Sequence, residues 1–180
     1  MATDDNKYFR EDQWWVSPYN YAPEVQAEFQ LPKRVEIHDA TLRDGEQTPG
    51  VVYRISDKIA IAEKLNEVGV ERIEAGMPAV SEQDFQAIKQ ISKLGLKSRI
   101  YTFARAINAD IDKALECGCH GVIVEVPIGY PKLKYQFKWT WEDVLRKSVD
   151  VIKHAKSRGC TWCTSPTTPP ARAKTICGIC

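Results

Sequence analysis

The amino-acid sequence predicts an α/β protein with a parallel sheet, and the order and spacing of its segments carry the prediction. From Arg34 onward, short β-branched segments alternate with amphipathic helical segments. The alternation repeats roughly every 31 residues, which suits parallel strands joined by helical crossovers. A doubly wound sheet and a (β/α)8 TIM barrel both fit this pattern. Because a barrel typically needs eight βα units and about 250 residues, a barrel in this chain would be truncated after about four units.

Four strands and four helices are expected in alternation. Runs of β-branched and apolar residues place the strands at residues 35–39, 71–75, 98–103 and 121–126. The first helix is expected to begin at Ser56 and Asp57 and to end at Gly69. Ser81, followed three residues later by Asp84, is the expected start of the second helix. The third and fourth helices are expected at residues 108–117 and 141–156.

The apolar spacing also predicts which helix positions are buried. On the first, second and fourth helices these positions are Ile59, Ala62, Leu65, Val68, Phe85, Ile88, Ile91, Val144, Val149 and Ile152.

Residues 1–33 differ in composition from the rest of the chain. They lack strand or helix periodicity and carry seven aromatic side chains, those of Tyr8, Phe9, Trp14, Trp15, Tyr19, Tyr21 and Phe29. We expect an N-terminal extended arm that packs on its own domain or on a partner subunit, because exposed aromatic side chains seldom stay unpartnered. Three regions are therefore expected: this arm, an α/β region over residues 34–159 and a tail over residues 160–180.

Charge and hydropathy exclude several classes of partner. The 180 residues carry 25 basic and 24 acidic side chains, well interspersed, for a net charge of +1. This balance gives no basic face for nucleic acid and no polybasic run for a lipid surface. No signal or transit peptide is evident, and no apolar stretch approaches the ~20 residues of a membrane span. We expect a cytoplasmic protein that handles small molecules and keeps its six cysteines reduced.

Polar side chains crowd the loop after the first predicted strand. Within five residues the loop carries a guanidinium, two carboxylates and an amide, those of Arg43, Asp44, Glu46 and Gln47. Gly45 and Pro49-Gly50 permit a tight backbone path. Barrels and open α/β sheets place ligands at the carboxyl ends of their strands, which favours a functional site. From composition alone, a solvated and salt-bridged loop is an equal alternative.

Two motifs identify a family. Residues 39–50 read DATLRDGEQTPG and resemble the signature of the DRE-type metallolyase superfamily, in its Claisen-condensing branch of isopropylmalate, homocitrate and citramalate synthases. Residues 73–79 read IEAGMPA and resemble the second-strand motif of the same branch. The resemblance implies the N-terminal half of a TIM-barrel catalytic domain. It also implies an acyl-CoA:2-oxo acid C-acyltransferase that forms a 2-hydroxy-dicarboxylate.

The same resemblance implies roles for individual residues. Asp44 matches the first-strand ligand of a divalent metal (Mg, Mn or Zn) that polarises the 2-oxo acid. Arg43 matches a catalytic, substrate-binding arginine that stabilises enolate and alkoxide charge. Gln47 and Glu74 match positions that orient the oxo acid and the metal-site hydrogen bonds, Gln47 as a substrate-binding residue and Glu74 as a catalytic one. Acetyl-CoA is the implied co-substrate, and a homodimer is implied for the full-length protein.

For several further residues the sequence leaves two interpretations open. Asp39 is expected either to orient Arg43 through a bidentate pair or to form an ordinary salt bridge. Thr102 and Arg105 end the third strand, where they are candidates for substrate binding or for solvent exposure. Glu125 either faces the catalytic mouth or is paired, since an unpartnered inward carboxylate is costly. The histidines are expected to be structural, and they are His38, His120 and His154.

The end of the chain departs from the family's pattern. Synthases of this kind complete the metal site with an H-x-H pair on a late strand, and the sequence contains no such pair. After Gly159, Cys160-x2-Cys163 and Cys177-x2-Cys180 have the spacing of a four-thiolate zinc site, which predicts a small zinc-bound appendage. The favoured alternative is a translational frame change near Gly159, because a one-base shift permits an apolar fifth strand. Sequencing the coding DNA beyond codon 160 in three frames decides between them.

The frame change, if it is right, has a consequence for activity. Half a barrel leaves sheet edges and apolar helix faces open, so the isolated chain is expected to be poorly soluble and to show no turnover. Other functions also stay open. One is a carbon-carbon lyase of the hydroxymethylglutaryl-CoA type, which the Glu46-Gln47 and Pro49-Gly50 pairs make less favoured. A carboxyltransferase subunit is a third relative, and a noncatalytic module with a zinc-binding tail is an alternative of a different class.

Overall fold

The chain divides into two compact units, Met1–Val35 and Glu36–Cys180. The computed structural model describes residues 9–10, 12–27, 29 and 32–167, and for Phe9 and residues 161–167 it describes the backbone alone.

The described part of the first unit contains short elements where an extended arm is predicted. Strand β1 (Phe9–Arg10) pairs antiparallel with β2 (Trp14–Trp15), and helix α1 (Pro23–Gln26) is a single turn. Most of the predicted aromatic side chains are exposed on this unit, namely Trp14, Trp15, Tyr19, Tyr21 and Phe29. Tyr8 and the side chain of Phe9 lie outside the described residues, and the packing partner of this unit stays a prediction.

Five parallel strands form the sheet of the second unit. They are β3 (His38–Asp39), β4 (Arg72–Glu74), β5 (Arg99–Arg105), β6 (Gly121–Pro127) and β7 (Thr161–Thr167). Each strand is hydrogen-bonded to the next one along the chain. A doubly wound sheet reverses its strand order at a switch point, whereas a barrel adds its strands in one direction. The observed order therefore confirms the barrel-type α/β fold over the doubly wound alternative.

All four predicted helices of this unit are present. They are α2 (Ile55–Val68), α3 (Glu82–Ser92), α4 (Asn108–Glu116) and α5 (Trp141–Ser157). The predicted start of α3 is confirmed, because Ser81 Oγ accepts a hydrogen bond from the Asp84 amide at 3.0 Å. Gly69 ends α2 in the left-handed conformation, with φ +94°. Among the helices of the described residues, none combines the length and apolar character needed to cross a membrane.

The core lies between the sheet and the helices. The predicted burial is confirmed in full or in part for most positions, and is wrong for Val68 and Val149, which are exposed. Helix α5 buries Val151 and Ala155 instead, because the side of the helix that faces the core differs from the predicted one. Side chains of the strands alternate, so one face of the sheet supplies this core and the other face supplies the polar site described below.

The fifth strand forms from the tail residues themselves. Thr161–Thr167 pairs with Gly121–Pro127 in parallel register along its whole length. A frame change is therefore not needed to supply a strand here, although it stays a prediction. Cys177, Cys180 and the Cys163 side chain lie outside the described residues, so the zinc interpretation also stays a prediction.

Candidate active site

The motif loop turns sharply as it leaves β3. The amide of Asp44 donates to the Ala40 carbonyl at 2.8 Å, and a short 3-10 helix, Gly45–Gln47, follows. Asp39 accepts hydrogen bonds from the amide and the hydroxyl of Thr41, at 2.9 and 3.1 Å. Asp39 therefore shapes the turn, and the role considered for it, orienting the loop arginine, is taken by another carboxylate.

Arg43 is held from three sides. Its Nε donates to Glu74 Oε1 at 2.6 Å, and its Nη1 donates to Asp44 Oδ1 at 2.6 Å. The guanidinium carbon lies 4.6 Å from the centre of the Phe103 ring, a cation–π contact. Glu74 ends β4, Phe103 lies two residues before the end of β5, and Arg43 follows β3, so three successive strands fix one cation towards the carboxyl edge of the sheet. A fixed cation of this kind can stabilise a developing oxyanion.

Glu74 is the buried partner in this arrangement, with a side chain only 3% exposed. Its second oxygen lies 3.2 Å from His38 Nε2, and His38 packs edge-on against Tyr101. Burial raises the pKa of Glu74, but the hydrogen bonds from His38 and Arg43 outweigh burial and leave this pKa below its usual value. Glu74 is therefore an anion at neutral pH, which keeps Arg43 oriented.

The lowered pKa of Glu74 predicts an acid-dependent loss of stability. A carboxyl group whose pKa is depressed on folding stabilises the protein above its unfolded pKa and loses this effect as the pH falls through its folded pKa. We expect Glu74→Gln to destabilise the chain by about 1.5–3 kcal/mol at pH 7, where the Arg43 hydrogen bond loses its charge. The difference from wild type should shrink below pH 4.5, the ordinary value for the group.

Urea unfolding followed by circular dichroism at pH 7 and pH 4 measures both effects. Glu116→Gln, an exposed change on α4, is the control. An equal difference between wild type and Glu74→Gln at the two pH values would contradict the prediction.

A buried lysine lies beneath the same loop. The Lys58 side chain is 1% exposed, and its Nζ contacts Glu46 Oε2 at 2.7 Å and also Asp84 Oδ1. Glu46 accepts a further hydrogen bond from the Tyr53 amide at 3.1 Å. Lys58 belongs to α2 and Asp84 to α3, so the ammonium joins the motif loop to two helices. The Lys58 ammonium therefore forms ion pairs with both carboxylates below the site.

Glu46 and Asp84 also line an open cavity of about 270 Å³. Its walls combine apolar and polar side chains and are formed by Leu42, Arg43, Glu46, Gln47, Gly76, Met77, Val80, Asp84 and Phe103. Gly76 has φ +142°, and a Cβ atom there would lie 3.3 Å from Ile88 Cδ1, so the wall requires glycine at this position. Arg43 and Gln47 are the predicted substrate-binding residues that the structure brings to this cavity.

Other predicted residues lie elsewhere. Thr102 is buried on the opposite face of β5, where its hydroxyl lies 3.7 Å from Cys119 Sγ, because alternate strand residues face opposite sides. Arg105 binds Asp110 through two hydrogen bonds, at 2.7 and 3.0 Å. Neither residue lines the cavity, so we do not include them in the proposed substrate site. Glu125 lies opposite Arg105 in the strand register, and both roles considered for its carboxylate stay predictions.

Sequence reasoning missed three residues of the site. His38 is expected from the sequence to be structural, like His120 and His154, and its contact with the carboxylate that orients Arg43 is not predicted. Phe103 and Lys58 were not singled out at all. A signal existed for Lys58, because it lies four residues before Ala62, a correctly predicted buried position on the same helix.

The fit to a divalent metal is incomplete in the described residues. Asp44 is a hard oxygen donor at the mouth of the site, with a side chain 65% exposed. Across the described ranges, however, no group of three His, Cys, Asp or Glu side chains is arranged to hold a metal ion. Asp44 is thus one candidate ligand without a complete set, and no chemical step can be derived through a metal from these residues.

Comparison with known proteins agrees with the motifs. A protein named "Probable 2-isopropylmalate synthase" from Ignicoccus hospitalis is 46% identical over 136 residues, which are 76% of this chain and 34% of that protein. Homocitrate synthase AksA from Methanothermobacter thermautotrophicus is 41% identical over 81% of this chain and 36% of its own length. (R)-citramalate synthase CimA from Methanocaldococcus jannaschii is 45% identical over 69% of the chain and 26% of its own length. The chain thus spans about a third of the length of such relatives.

Solved structures share the fold. Hydroxymethylglutaryl-CoA lyase from Pseudomonas aeruginosa has a TM-score of 0.63 at 22% identity. The match covers 77% of this chain and 47% of the lyase chain. The lyase from Brucella melitensis has a TM-score of 0.62 at 20% identity, over 75% and 49% of the two chains. The model of one family, described as HMGL-like, matches residues 34–176, which extends beyond the predicted end of the α/β region at residue 159. This match covers most of the chain and agrees with the barrel-type sheet and the fixed loop arginine. The chain therefore belongs to the HMGL-like family.

Proposed function

We propose that the protein takes part in an acyl-CoA:2-oxo acid condensation of the isopropylmalate, homocitrate or citramalate synthase type. The observation that carries the proposal is the guanidinium of Arg43, which the buried Glu74 holds at the cavity wall at 2.6 Å. The relatives at 41–46% identity that are named above are synthases, which supports condensation over cleavage.

The proposed reaction places its charge where Arg43 lies. A proton leaves the methyl group of the acyl-CoA, and the resulting enolate carbon attacks the 2-oxo carbon, so that the carbonyl oxygen becomes an alkoxide and then a hydroxyl group. Hydrolysis of the thioester by water releases CoA and leaves a 2-hydroxy acid with one carboxylate more than the oxo acid, a dicarboxylate from pyruvate or 2-oxoisovalerate and a tricarboxylate from 2-oxoglutarate. Arg43 stabilises the enolate and alkoxide oxygens and, having no accessible neutral form, does not remove the proton. Gln47 is the proposed hydrogen-bonding partner of the oxo acid.

A thiol-release assay tests the proposal. Acetyl-CoA is mixed in turn with pyruvate, 2-oxoisovalerate and 2-oxoglutarate, free CoA is followed with a thiol reagent, and the products are identified by mass spectrometry. The assay is run on the 180-residue chain and on any longer product that its coding region yields. CoA release that depends on one of the oxo acids is the expected result for a catalytically complete form. Absence of release from every form with every acid would refute the proposal.

Asp44 is proposed as a ligand of the divalent metal that family membership implies, which when bound would polarise the oxo-acid carbonyl. We expect the chain to bind Mn²⁺ weakly and exchangeably, and Asp44→Asn to weaken binding by at least about tenfold, the effect of losing about 1.4 kcal/mol. Asp150→Asn, an exposed change on α5, is the control. Electron paramagnetic resonance of free Mn²⁺ measures the affinity.

The same experiment separates the enzyme from the noncatalytic module. One zinc ion held tightly per chain, lost on cysteine alkylation and unaffected by Asp44→Asn, would favour the cysteine tail as the metal site.

A further inference from the structure

Residues 128–140, here called the tyrosine-lysine segment, form the connection between β6 and α5. They contain three lysines and no acidic residue, and their sequence is IGYPKLKYQFKWT. The segment begins directly after the carboxyl end of β6, the neighbour of the strand that carries Phe103. It therefore lies at the same edge of the sheet as Arg43 and the cavity.

The backbone of this segment is irregular but anchored. Lys132–Phe137 is a π-helical turn, and Lys138 follows it in the left-handed conformation, with φ +55°. Leu133 is buried with Val126 and Val144, and its carbonyl accepts a hydrogen bond from the Trp139 amide at 3.0 Å. π-helical turns and left-handed non-glycine residues occur often at functional sites. The anchoring presents the remaining side chains of the segment on a fixed base.

Two tyrosines and one lysine form the outer surface of the segment. Tyr130 is 64% and Tyr135 is 70% exposed, and their ring centres are 6.4 Å apart. Lys134 Nζ lies 5.3 Å from the centre of the first ring and 5.2 Å from that of the second. Lys132 and Lys138 are also exposed. Flat aromatic faces beside ammonium groups suit a ligand that combines a heteroaromatic base with phosphates.

We propose that the tyrosine-lysine segment binds the nucleotide end of the acyl-CoA, with the adenine against a tyrosine ring and the phosphates on the lysines. The inference rests on the proposed function, which supplies the acyl-CoA. The cavity supports it as well, since about 270 Å³ is below the usual range for a drug-sized ligand. The acyl end can enter the cavity, while the bulky and charged nucleotide has to lie outside it. The basic, aromatic segment at the same edge offers that place.

Isothermal titration of the 180-residue chain with matched ligands tests the assignment. Coenzyme A is expected to bind at least about tenfold more tightly than pantetheine, which lacks the nucleotide, because base stacking alone contributes on the order of 1–3 kcal/mol. Adenosine 3′,5′-bisphosphate, which lacks the pantetheine arm, is expected to compete with coenzyme A. Affinity for coenzyme A should fall as salt rises, since its phosphates pair with exposed lysines.

Single substitutions locate the site. Lys134→Ala and Tyr135→Ala should each weaken coenzyme A binding several-fold and leave pantetheine binding unchanged. Lys153→Ala, an exposed change further along α5, should leave both unchanged. Circular dichroism checks that each variant is folded. Equal affinity for coenzyme A and pantetheine, no measurable coenzyme A binding, or wild-type affinity in both segment variants would overturn the assignment. If coenzyme A binds at the segment but no oxo acid triggers its release from acetyl-CoA, the proposed function fails and the nucleotide site stands.

Discussion

Replacing Arg43 by methionine should reduce the rate of CoA release about a thousandfold in any form of the protein that turns over, because loss of one oxyanion-stabilising donor typically costs this much. Methionine keeps an unbranched apolar side chain at this position but removes the charge that contacts Phe103 and that Glu74 and Asp44 orient. Arg43→Lys should recover only part of the rate, since an ammonium cannot donate to both carboxylates from one plane. Steady-state thiol release measures all three forms.

Arg146→Met provides the matched control for this loss of a guanidinium. Arg146 is exposed on α5, where it pairs with Asp143 one turn earlier, at 2.7 Å. The Arg146→Met protein should release CoA at the same rate as the wild type. An Arg43→Met protein that is folded and retains more than about a tenth of the wild-type rate would show that the guanidinium is not the main stabiliser of the oxyanion.

Replacing Lys58 by methionine should destabilise the fold by about 3 kcal/mol, the lower end of the cost of removing one partner from a buried ion pair. Methionine matches the length of the lysine stem, so the loss reports the ammonium group. Glu46 and Asp84, now without the cation between them, would repel each other beneath the loop. The value is at the lower end because both carboxylates keep partial access to water. Urea unfolding at pH 7 measures the change.

Lys64→Met tests whether the effect belongs to the buried position. Lys64 lies on the same helix and pairs with Glu67 in an exposed i,i+3 arrangement. Its unfolding midpoint should stay close to wild type, because exposed pairs contribute little. Similar midpoints for the two variants would mean that the Lys58 cluster is no more than a surface salt bridge in energetic terms.

Local patterns in the sequence predicted the order of the strands and helices and several helix ends. Helix starts such as Ser81 and helix ends such as Gly69 follow from capping chemistry within a few residues. The motif loop was placed correctly because it directly follows a strand. The orientation of Thr102 could also be predicted from the sequence. Thr102 lies two residues after Ile100, a core residue, and alternate strand residues face the same side of the sheet.

Contacts between distant residues were harder to predict. Glu74 contacts Arg43 across 31 positions, whereas Asp39, which is nearer in sequence and was a candidate partner of Arg43, bonds Thr41 instead. The spacing to Ala62 indicates that Lys58 lies on the buried face of its helix, but a lysine on a helix usually lies in solvent. The two carboxylates that make its burial possible come from separate elements, and local periodicity does not reveal them.

The Lys58 cluster also couples the site to the second βα unit. Lys58 reaches forward by 26 positions to Asp84, and Glu46 comes from the loop that precedes its helix. A buried ammonium that keeps only one of its two counter-charges is costly, so the docking of α3 and the packing of the motif loop stabilise each other. We therefore expect the cavity and the second βα unit to lose their structure together when the chain is destabilised, rather than one after the other.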